Sequence, residues 1–273
     1  MKNLLHFLLA VLVLTGIYSC NNTRTFNTAE PMLGMILMED TNSIQIDKVV
    51  SELRTKWNLS VDDKEAGKEA SVLSIDDYTI AIMNMPMPIP GDEIESAAGY
   101  NYFWQNGAKE ATKHKGHVIL SIMNAGKDPV KENILFNKVA AAILNNSNSI
   151  GFYMGGRTLL LKKDFYLANT ELMTDKDFPL DNWIYFGLRQ ENGKQSMYTY
   201  GMFDFNKPEM EILDSDHSFE ELDEMMFNMV HYVIASDITL KAGETIGMSA
   251  TQKLQISYSK GKYLDGKTLK IKY

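Results

Sequence analysis

The residues His117-Val-Ile-Leu-Ser-Ile-Met123, followed by the segment from Pro129 to Asn145, give the clearest strand and helix signals in the first half of the chain. The first part is a short apolar run, which predicts a buried strand. In the second part Pro129 stands directly behind Asp128, a placement typical of the first turn of a helix. We therefore predict a strand over 117–123 and a helix over 129–145.

Strands and helices also alternate upstream of this stretch. Leu33 to Glu39 predicts another buried strand, after which Ser43 is expected to cap an amphipathic helix. The apolar stripe of that helix consists of Ile46, Val49, Val50, Leu53 and Trp57. Two strands at 70–75 and 78–83 follow, and then a helix over about 93–113. An order of strand, helix, strand, strand, helix and strand is typical of a split β-α-β sandwich.

The second half is richer in strands. Asn192-Gly193, between segments 183–188 and 196–203, is the strongest short hairpin signal in the chain. Ser218 and Glu221 have the spacing of a capping box, which predicts an amphipathic helix from Ser218 to Ala235. Further strands are predicted at 209–213, 254–258 and 268–273.

These elements predict an α+β protein. A split β-α-β-like half is expected at 31–148, and a strand-rich half with a packed amphipathic helix at 149–273. The two halves form either one domain or two.

The N-terminus has the features of a bacterial lipoprotein precursor. Lys2 provides a positive charge, and Leu4 to Leu14 form an apolar run that only His6 interrupts. This run is too short to cross a bilayer, which needs roughly 20 residues, so we interpret it as the core of a signal peptide. We predict a signal peptide at 1–19, palmitate or a related lipid on Cys20, and a polar tether at 20–30. The alternative is an ordinary secretory signal followed by a chance cysteine.

The composition agrees with a lipid-anchored protein of the cell envelope. Cys20 is the only cysteine among 273 residues, so the chain cannot form an internal disulfide, and lipidation would remove a reactive free thiol. The formal net charge is −8 with scattered acidic residues, which argues against nucleic acid as a partner. The expected localisation is the cell envelope, where lipid on Cys20 holds the domain on a membrane facing the periplasm or the cell exterior.

One group of residues suggests metal chemistry. Met83, Met85 and Met87 alternate along an extended segment, and His114 and His117 stand just before the next strand. Thioether and imidazole ligands together suit Cu(I). The alternative is that the methionines fill the core, since the chain contains 17 of them.

Two further motifs have weaker functional interpretations. Residues 151–158 match the spacing of a phosphate-binding loop with Arg157 in place of lysine, but we interpret them as a strand followed by a tight turn. Glu209 and Glu211 share one face of a short strand, as paired carboxylates for acid–base chemistry or as a solvated face. The chain has no G-x-S-x-G elbow and no cofactor fingerprint, and we predict no cofactor.

With these residues in view, the chain resembles a bacterial family known as domain of unknown function 4261. The resemblance rests on several motifs taken in order: Met85 to Pro90, Trp104, His114-x-x-His117, Tyr200 to Ile212, and Gly243 to Gly247. Asn206 stands where the family usually has glycine, and asparagine tolerates left-handed backbone better than most residues. The resemblance implies no reaction. It marks Trp104, His114 and His117, together with Pro86, as candidate site residues.

We therefore expect a lipid-anchored binding or protein-interaction module rather than an enzyme. Its acidic balance suits a basic protein partner, such as a toxin that the domain would occlude as an immunity protein. The alternative is an enzyme or soft-metal-binding protein that uses His114, His117 and the edge from Met83 to Met87.

Overall fold

The computed structural model describes residues 31–174, 176–249 and 251–273, apart from the side chains of residues 63–66. The predicted signal peptide, Cys20 and the tether lie outside the described residues. Within the described part of the chain, no helix is long and apolar enough to cross a membrane.

The first of two sheets is antiparallel and has seven strands. These are β1 (Met32–Met38), β2 (Val61–Ala66), β3 (Ala70–Ile75), β4 (Tyr78–Met85), β5 (Gly116–Ile122), β6 (Ser149–Met154) and β7 (Leu159–Lys162). They lie in the order β2-β3-β4-β5-β1-β6-β7. This sheet continues past residue 148, where we expected the two halves to meet, because β6 and β7 belong to it.

Helices lie on both faces of this sheet. They are α1 (Ile46–Thr55), α2 (Glu93–Tyr100), α3 (Gly107–Ala111), α4 (Pro129–Asn145) and α5 (Lys163–Glu171). α1 and α4 pack on one face, where Leu53 and Val139 join Leu120 of β5 in the main core. On the opposite face, Ile94 of α2 and Ala111 of α3 pack in a smaller cluster with Leu37 of β1.

A split β-α-β unit lies at the centre of the first sheet. β5 and β6 are both antiparallel to β1, which lies between them, so they run in the same direction. α4 connects them. The predicted arrangement is therefore present, with β1 as the inserted strand.

The second sheet has six strands and a long helix. The elements are α6 (Leu180–Trp183), β8 (Tyr185–Glu191), β9 (Lys194–Tyr200), β10 (Met210–Ser215), α7 (Phe219–Ala235), β11 (Thr245–Ile246), β12 (Leu254–Lys260) and β13 (Lys267–Ile271). The strands lie in the order β11-β12-β13-β10-β9-β8, and only β10 and β13 pair in parallel. α7 packs Met226 and Val230 against Met197 and Ile212 of the sheet. The α+β class is confirmed.

Several local predictions are confirmed at the atomic level. The Asp128 carboxylate accepts a hydrogen bond from the Lys131 N–H at 3.0 Å, at the start of α4. Ser218 and Glu221 form the reciprocal capping box of α7. Asn192 and Gly193 have φ angles of 51° and 77°, as the left-handed positions of a tight hairpin turn require.

Two local predictions were wrong, and some elements were missed. Gln45, not Ser43, precedes α1, and no side chain caps that helix. The helix expected over 93–113 is interrupted, because the Asn101 carboxamide accepts the Phe103 and Trp104 N–H groups in a local turn. β2 was missed, since most of its residues are polar or charged and only Val61 gives an apolar signal.

Candidate functional site

His114 is a buried structural residue between α3 and β5, with 6% of its surface exposed. Its Nε2 lies 2.7 Å from the Ile89 nitrogen, and its Nδ1 lies 2.7 Å from the Ala111 carbonyl oxygen. Because Nε2 accepts the Ile89 N–H, the proton resides on Nδ1, which donates to Ala111. The backbone engages both ring nitrogens, so His114 offers no lone pair to a metal ion. Burial lowers the pKa of its imidazole and favours this neutral form.

His117 lies on β5, directly opposite Met85 of β4. Its Nδ1 donates to the Met87 carbonyl oxygen at 2.8 Å, and burial lowers the pKa of the ring. Met83 is buried in a small apolar cluster, Met85 packs at the margin of that cluster, and Met87 is 53% exposed beyond the strand end. The structure therefore keeps Met83, Met85 and His117 on one face and separates them from the exposed Met87 side chain.

Trp104 is a core residue. It is 4% exposed, and its indole Nε1 donates to the Glu110 carboxylate at 2.7 Å. A Cβ at Gly151 of β6 would lie 2.9 Å from the indole ring, so the absence of a side chain there makes room for the tryptophan. This packing assigns Trp104 a structural role.

Arg157 lies in the loop-like motif at 151–158, which forms the end of β6 and a 3-10 turn as predicted. The side chain is 3% exposed and makes a set of contacts that we call the Arg157 latch. Its Nε donates to Asp204 at 2.6 Å, and its Nη1 donates to the Asn133 side chain at 2.7 Å and to the Trp183 carbonyl oxygen at 3.1 Å. The latch joins the first sheet, α4 and the elements beside the second sheet, which leaves this guanidinium engaged internally instead of facing a phosphate.

Glu209 and Glu211 have separate partners. The Glu209 carboxylate accepts the Thr199 hydroxyl at 2.7 Å and the Gly201 N–H at 2.8 Å, and burial raises its pKa to about 7. Glu211 is fully buried and pairs with Lys270 at 2.7 Å. Although burial alone would raise the pKa of Glu211, hydrogen bonds from Lys270 and the surrounding chain hold it below its usual value. Each carboxylate holds a part of the second sheet, and the two do not act as an acid–base pair.

A small surface site lies where the connection between α2 and α3 meets the second sheet. We call it the junction cleft; it is lined by residues including Asn101, Tyr102, Phe103, Asp181, Tyr185 and Phe186. The Tyr102 hydroxyl donates to the Phe186 carbonyl oxygen at 2.9 Å, and the Tyr185 hydroxyl donates to the Tyr100 carbonyl oxygen at 2.8 Å. These two bonds tie the connection to β8.

One carboxylate lines the junction cleft, and a second lies close enough to influence it. Burial, and then the neighbouring Asp223 carboxylate, raise the pKa of Asp181 to about 6. Burial also raises the pKa of Asp223. The same two acids contribute, after burial, to a raised pKa of the Tyr102 hydroxyl. The cleft thus combines aromatic surface with the Asp181 carboxylate, which makes no ion pair in the described part of the chain.

Sequence reasoning missed the junction cleft and the partners of Arg157. The run Tyr100-Asn-Tyr-Phe103 places three aromatic residues within four positions, and this density could have marked the segment. Asp181 and Asp223 carry no comparable signal because they are far apart in sequence. Among the described residues, no group of three or more His, Cys, Asp or Glu side chains is arranged to hold a metal ion.

These features define an α+β protein built on two sheets, with a polar latch between them and an aromatic, acidic cleft on the surface. Comparison with protein families then adds a finding for the second sheet: residues 198–272 match the family described as domain of unknown function 4261. The match contains the motifs at Tyr200 to Ile212 and Gly243 to Gly247, and Asn206 has the left-handed backbone expected of it, with φ of 57°. The motifs at Met85, Trp104 and His114 precede the matched residues. Searches among curated proteins and solved structures found no match.

Proposed function

We propose that the protein is a lipid-anchored lipoprotein of the cell envelope whose folded domain binds a basic protein partner through the junction cleft. Support for the anchor comes from the sequence of the first 20 residues, where a charged start, a short apolar run and the single cysteine follow one another. Residues 20–30 would separate the lipid from β1, which begins at Met32.

The observation that carries the binding role is the exposed aromatic surface of the segment at the junction cleft, where Phe103 and Asp181 line the same cavity. Tyr100 is 48% exposed and Phe103 is 44% exposed, although both lie on a segment that hydrogen bonds hold against β8. The Phe103 ring stacks on Phe165 with 4.7 Å between ring centroids. Fixed aromatic side chains bury much area at small entropic cost, which is why they are enriched at the centres of interfaces.

Charge favours a basic partner. The chain carries a formal net charge of −8, and Asp181 lines the cleft with the Asp223 carboxylate close enough to affect its pKa. A lysine or arginine from a partner would stabilise the ionised form of Asp181 and contact the aromatic rings. The soft-metal alternative is weaker because His114 has both ring nitrogens engaged by the backbone.

The anchor is tested by replacing the acceptor cysteine. We expect Cys20→Ser to abolish incorporation of labelled palmitate and to release the protein from the membrane fraction, because no second thiol can take the lipid. The wild-type chain and a Ser19→Ala variant serve as controls that retain the cysteine. Palmitate on Cys20→Ser would refute lipidation at this position.

The binding role is tested by in-cell crosslinking of the lipidated protein with quantitative mass spectrometry. Tyr258 on β12 is a matched control for Tyr100, since it is 47% exposed and also has a cationic side chain near its ring. We expect Tyr100→Ala to reduce recovery of a basic partner roughly tenfold, as the loss of one interface anchor predicts, and Tyr258→Ala to leave it unchanged. Equal recovery with both variants would exclude the aromatic surface around Tyr100, on which the proposal rests, as the binding surface.

A further inference from the structure

A second cleft, of about 470 Å³, opens at one end of the first sheet, and its lining is polar. One wall is the connection from β1 to α1, residues 39–45, and the other is the segment 145–148 between α4 and β6. We call it the asparagine cleft because Asn42, Asn145, Asn146 and Asn148 all line it. Its volume lies within the range of small-molecule sites.

Hydrogen bonds hold the two walls of the asparagine cleft in place. The Glu39 N–H donates to the Asn148 carbonyl oxygen at 2.9 Å, and the Asn148 carboxamide donates to the Asp40 carboxylate at 3.1 Å. The Ile44 N–H donates to the Asn84 side chain at 3.0 Å. The site is therefore formed before any ligand arrives, which lowers the entropic cost of binding.

Ser147 provides the observation that points to a ligand. Its hydroxyl oxygen is buried, yet it has no hydrogen-bond partner within the described part of the chain. An unsatisfied buried hydroxyl costs roughly 1 to 3 kcal/mol, so native proteins seldom retain one without a reason. Ser147 lines the cleft, where a polar group of a bound molecule would satisfy it.

Other polar groups at the same cleft are also available. The side chains of Ser43, Gln45 and Lys48 make no hydrogen bond or ion pair among the described residues. Asn145 and Asn146 use their amide N–H groups on Glu52, which leaves their carbonyl oxygens as acceptors. The cleft thus presents both donors and acceptors at short intervals.

The charge balance favours a neutral ligand. Asp40 and Lys48 are the charged residues of the lining, with one charge of each sign. A hydrogen bond from Asn148 lowers the pKa of the Asp40 carboxyl, which therefore stays ionised and would repel an anion.

We propose that the asparagine cleft binds a small carbohydrate. Adjacent hydroxyl groups of a sugar both donate and accept hydrogen bonds, and side-chain amides, hydroxyls and a carboxylate complement them. Met38 and Ile44 supply apolar surface for the C–H face of the ring. This proposal is independent of the junction cleft, because the two sites share no residues.

The test is a saturation-transfer NMR titration of the lipidated full-length protein in nanodiscs made from lipids without sugar headgroups. Glucose and N-acetylglucosamine are the sugar probes, and inorganic phosphate is the anionic probe. The variant Gln45→Ala removes an exposed lining amide, and Gln255→Ala on β12 removes an exposed amide elsewhere that has no side-chain hydrogen bond in the described chain.

We expect at least one sugar to bind, Gln45→Ala to weaken its Kd roughly three- to tenfold, and Gln255→Ala to leave the Kd unchanged. Ser147→Ala is expected to weaken the same Kd by a similar factor. The proposal is overturned if neither sugar binds, if only phosphate binds, or if Gln45→Ala and Gln255→Ala have equal effects.

Discussion

At the scale of single residues, the buried polar groups of this protein mainly bond to the backbone. His114 hydrogen-bonds to the backbone of Ile89 and Ala111. Glu209 accepts hydrogen bonds from the Thr199 hydroxyl at the end of β9 and from the Gly201 N–H just after it. Such groups are stable inside the fold because each desolvated atom keeps a partner. They are poor candidates for catalysis, since their lone pairs and protons are already engaged.

Asp181 differs from these groups, and its ionisation should affect stability. Its pKa in the folded state, about 6, exceeds the ordinary value of 3.8, so folding disfavours the carboxylate form. Stability therefore falls as pH rises from about 4 through about 6, and recovers when the solution is acidified. We expect Asp181→Asn to raise the free energy of unfolding by roughly 1 to 2 kcal/mol near neutral pH and to change it little near pH 4.

Urea unfolding monitored by tryptophan fluorescence at the two pH values measures this difference. Asp223→Asn provides a second check, because removing that charge should lower the pKa of Asp181 and reduce the pH dependence. A gain from Asp181→Asn that is equal at both pH values would contradict the assigned cause.

At the scale of elements, the hairpin of β8 and β9 depends on one glycine. Gly187 pairs with Tyr198 across the ladder, and a Cβ at Gly187 would lie 2.1 Å from the tyrosine ring. That ring also stacks on Tyr263, with 5.4 Å between centroids, so it cannot move aside without losing this contact. The aromatic ring fills the volume that the missing side chain leaves.

We expect Gly187→Ala to lower the free energy of unfolding by about 2 kcal/mol, as overpacking in a filled core does. Gly156 is the matched control, because a Cβ there meets no atom within 4 Å. Gly156→Ala should change stability by less than about 0.5 kcal/mol. Chemical denaturation of both variants makes the comparison. Equal effects on the free energy of unfolding would show that the Tyr198 ring moves aside without a cost in stability.

At the scale of the whole molecule, the Arg157 latch connects parts that are distant in sequence. Its guanidinium contacts Asp204, which is 47 residues away, and Asn133, which is 24 residues away. It also lies 5.6 Å from the Phe205 ring centroid. Removing the arginine would leave the Asn133 oxygen and the Trp183 carbonyl without this donor.

Arg157→Ala is expected to lower the free energy of unfolding by about 3 kcal/mol, the usual cost of breaking a buried charged network. Asp204→Asn should cost about 1 kcal/mol, because 38% of the Asp204 side chain is exposed and water replaces part of the interaction. Equilibrium unfolding of the two variants tests the ranking. If Asp204→Asn were the more damaging change, the latch would not depend on the arginine as we describe.

Predictions from sequence succeeded where the signal was local. The capping box of α7, the start of α4 at Pro129 and the Asn192-Gly193 turn depend on residues within a few positions of one another. The predictions failed at β2, because a mostly charged strand shows no alternation of apolar and polar residues. They also failed at 93–113, because the Asn101 turn interrupts a segment with a helical pattern. For the candidate sites, the sequence drew attention to His114 and Trp104, which the structure shows to be core residues.

Hydrophobic period and capping chemistry were enough to predict the α+β class and the bounds of α4 and α7 from residue order alone, and the same reading proposes a lipidated N-terminus. The folded molecule was needed to place β1 between β5 and β6, to join Arg157 to Asn133 and Asp204, and to show which residues form the two clefts. Strand order and buried contacts depend on groups far apart in the chain, because their pairing is settled when the whole core packs.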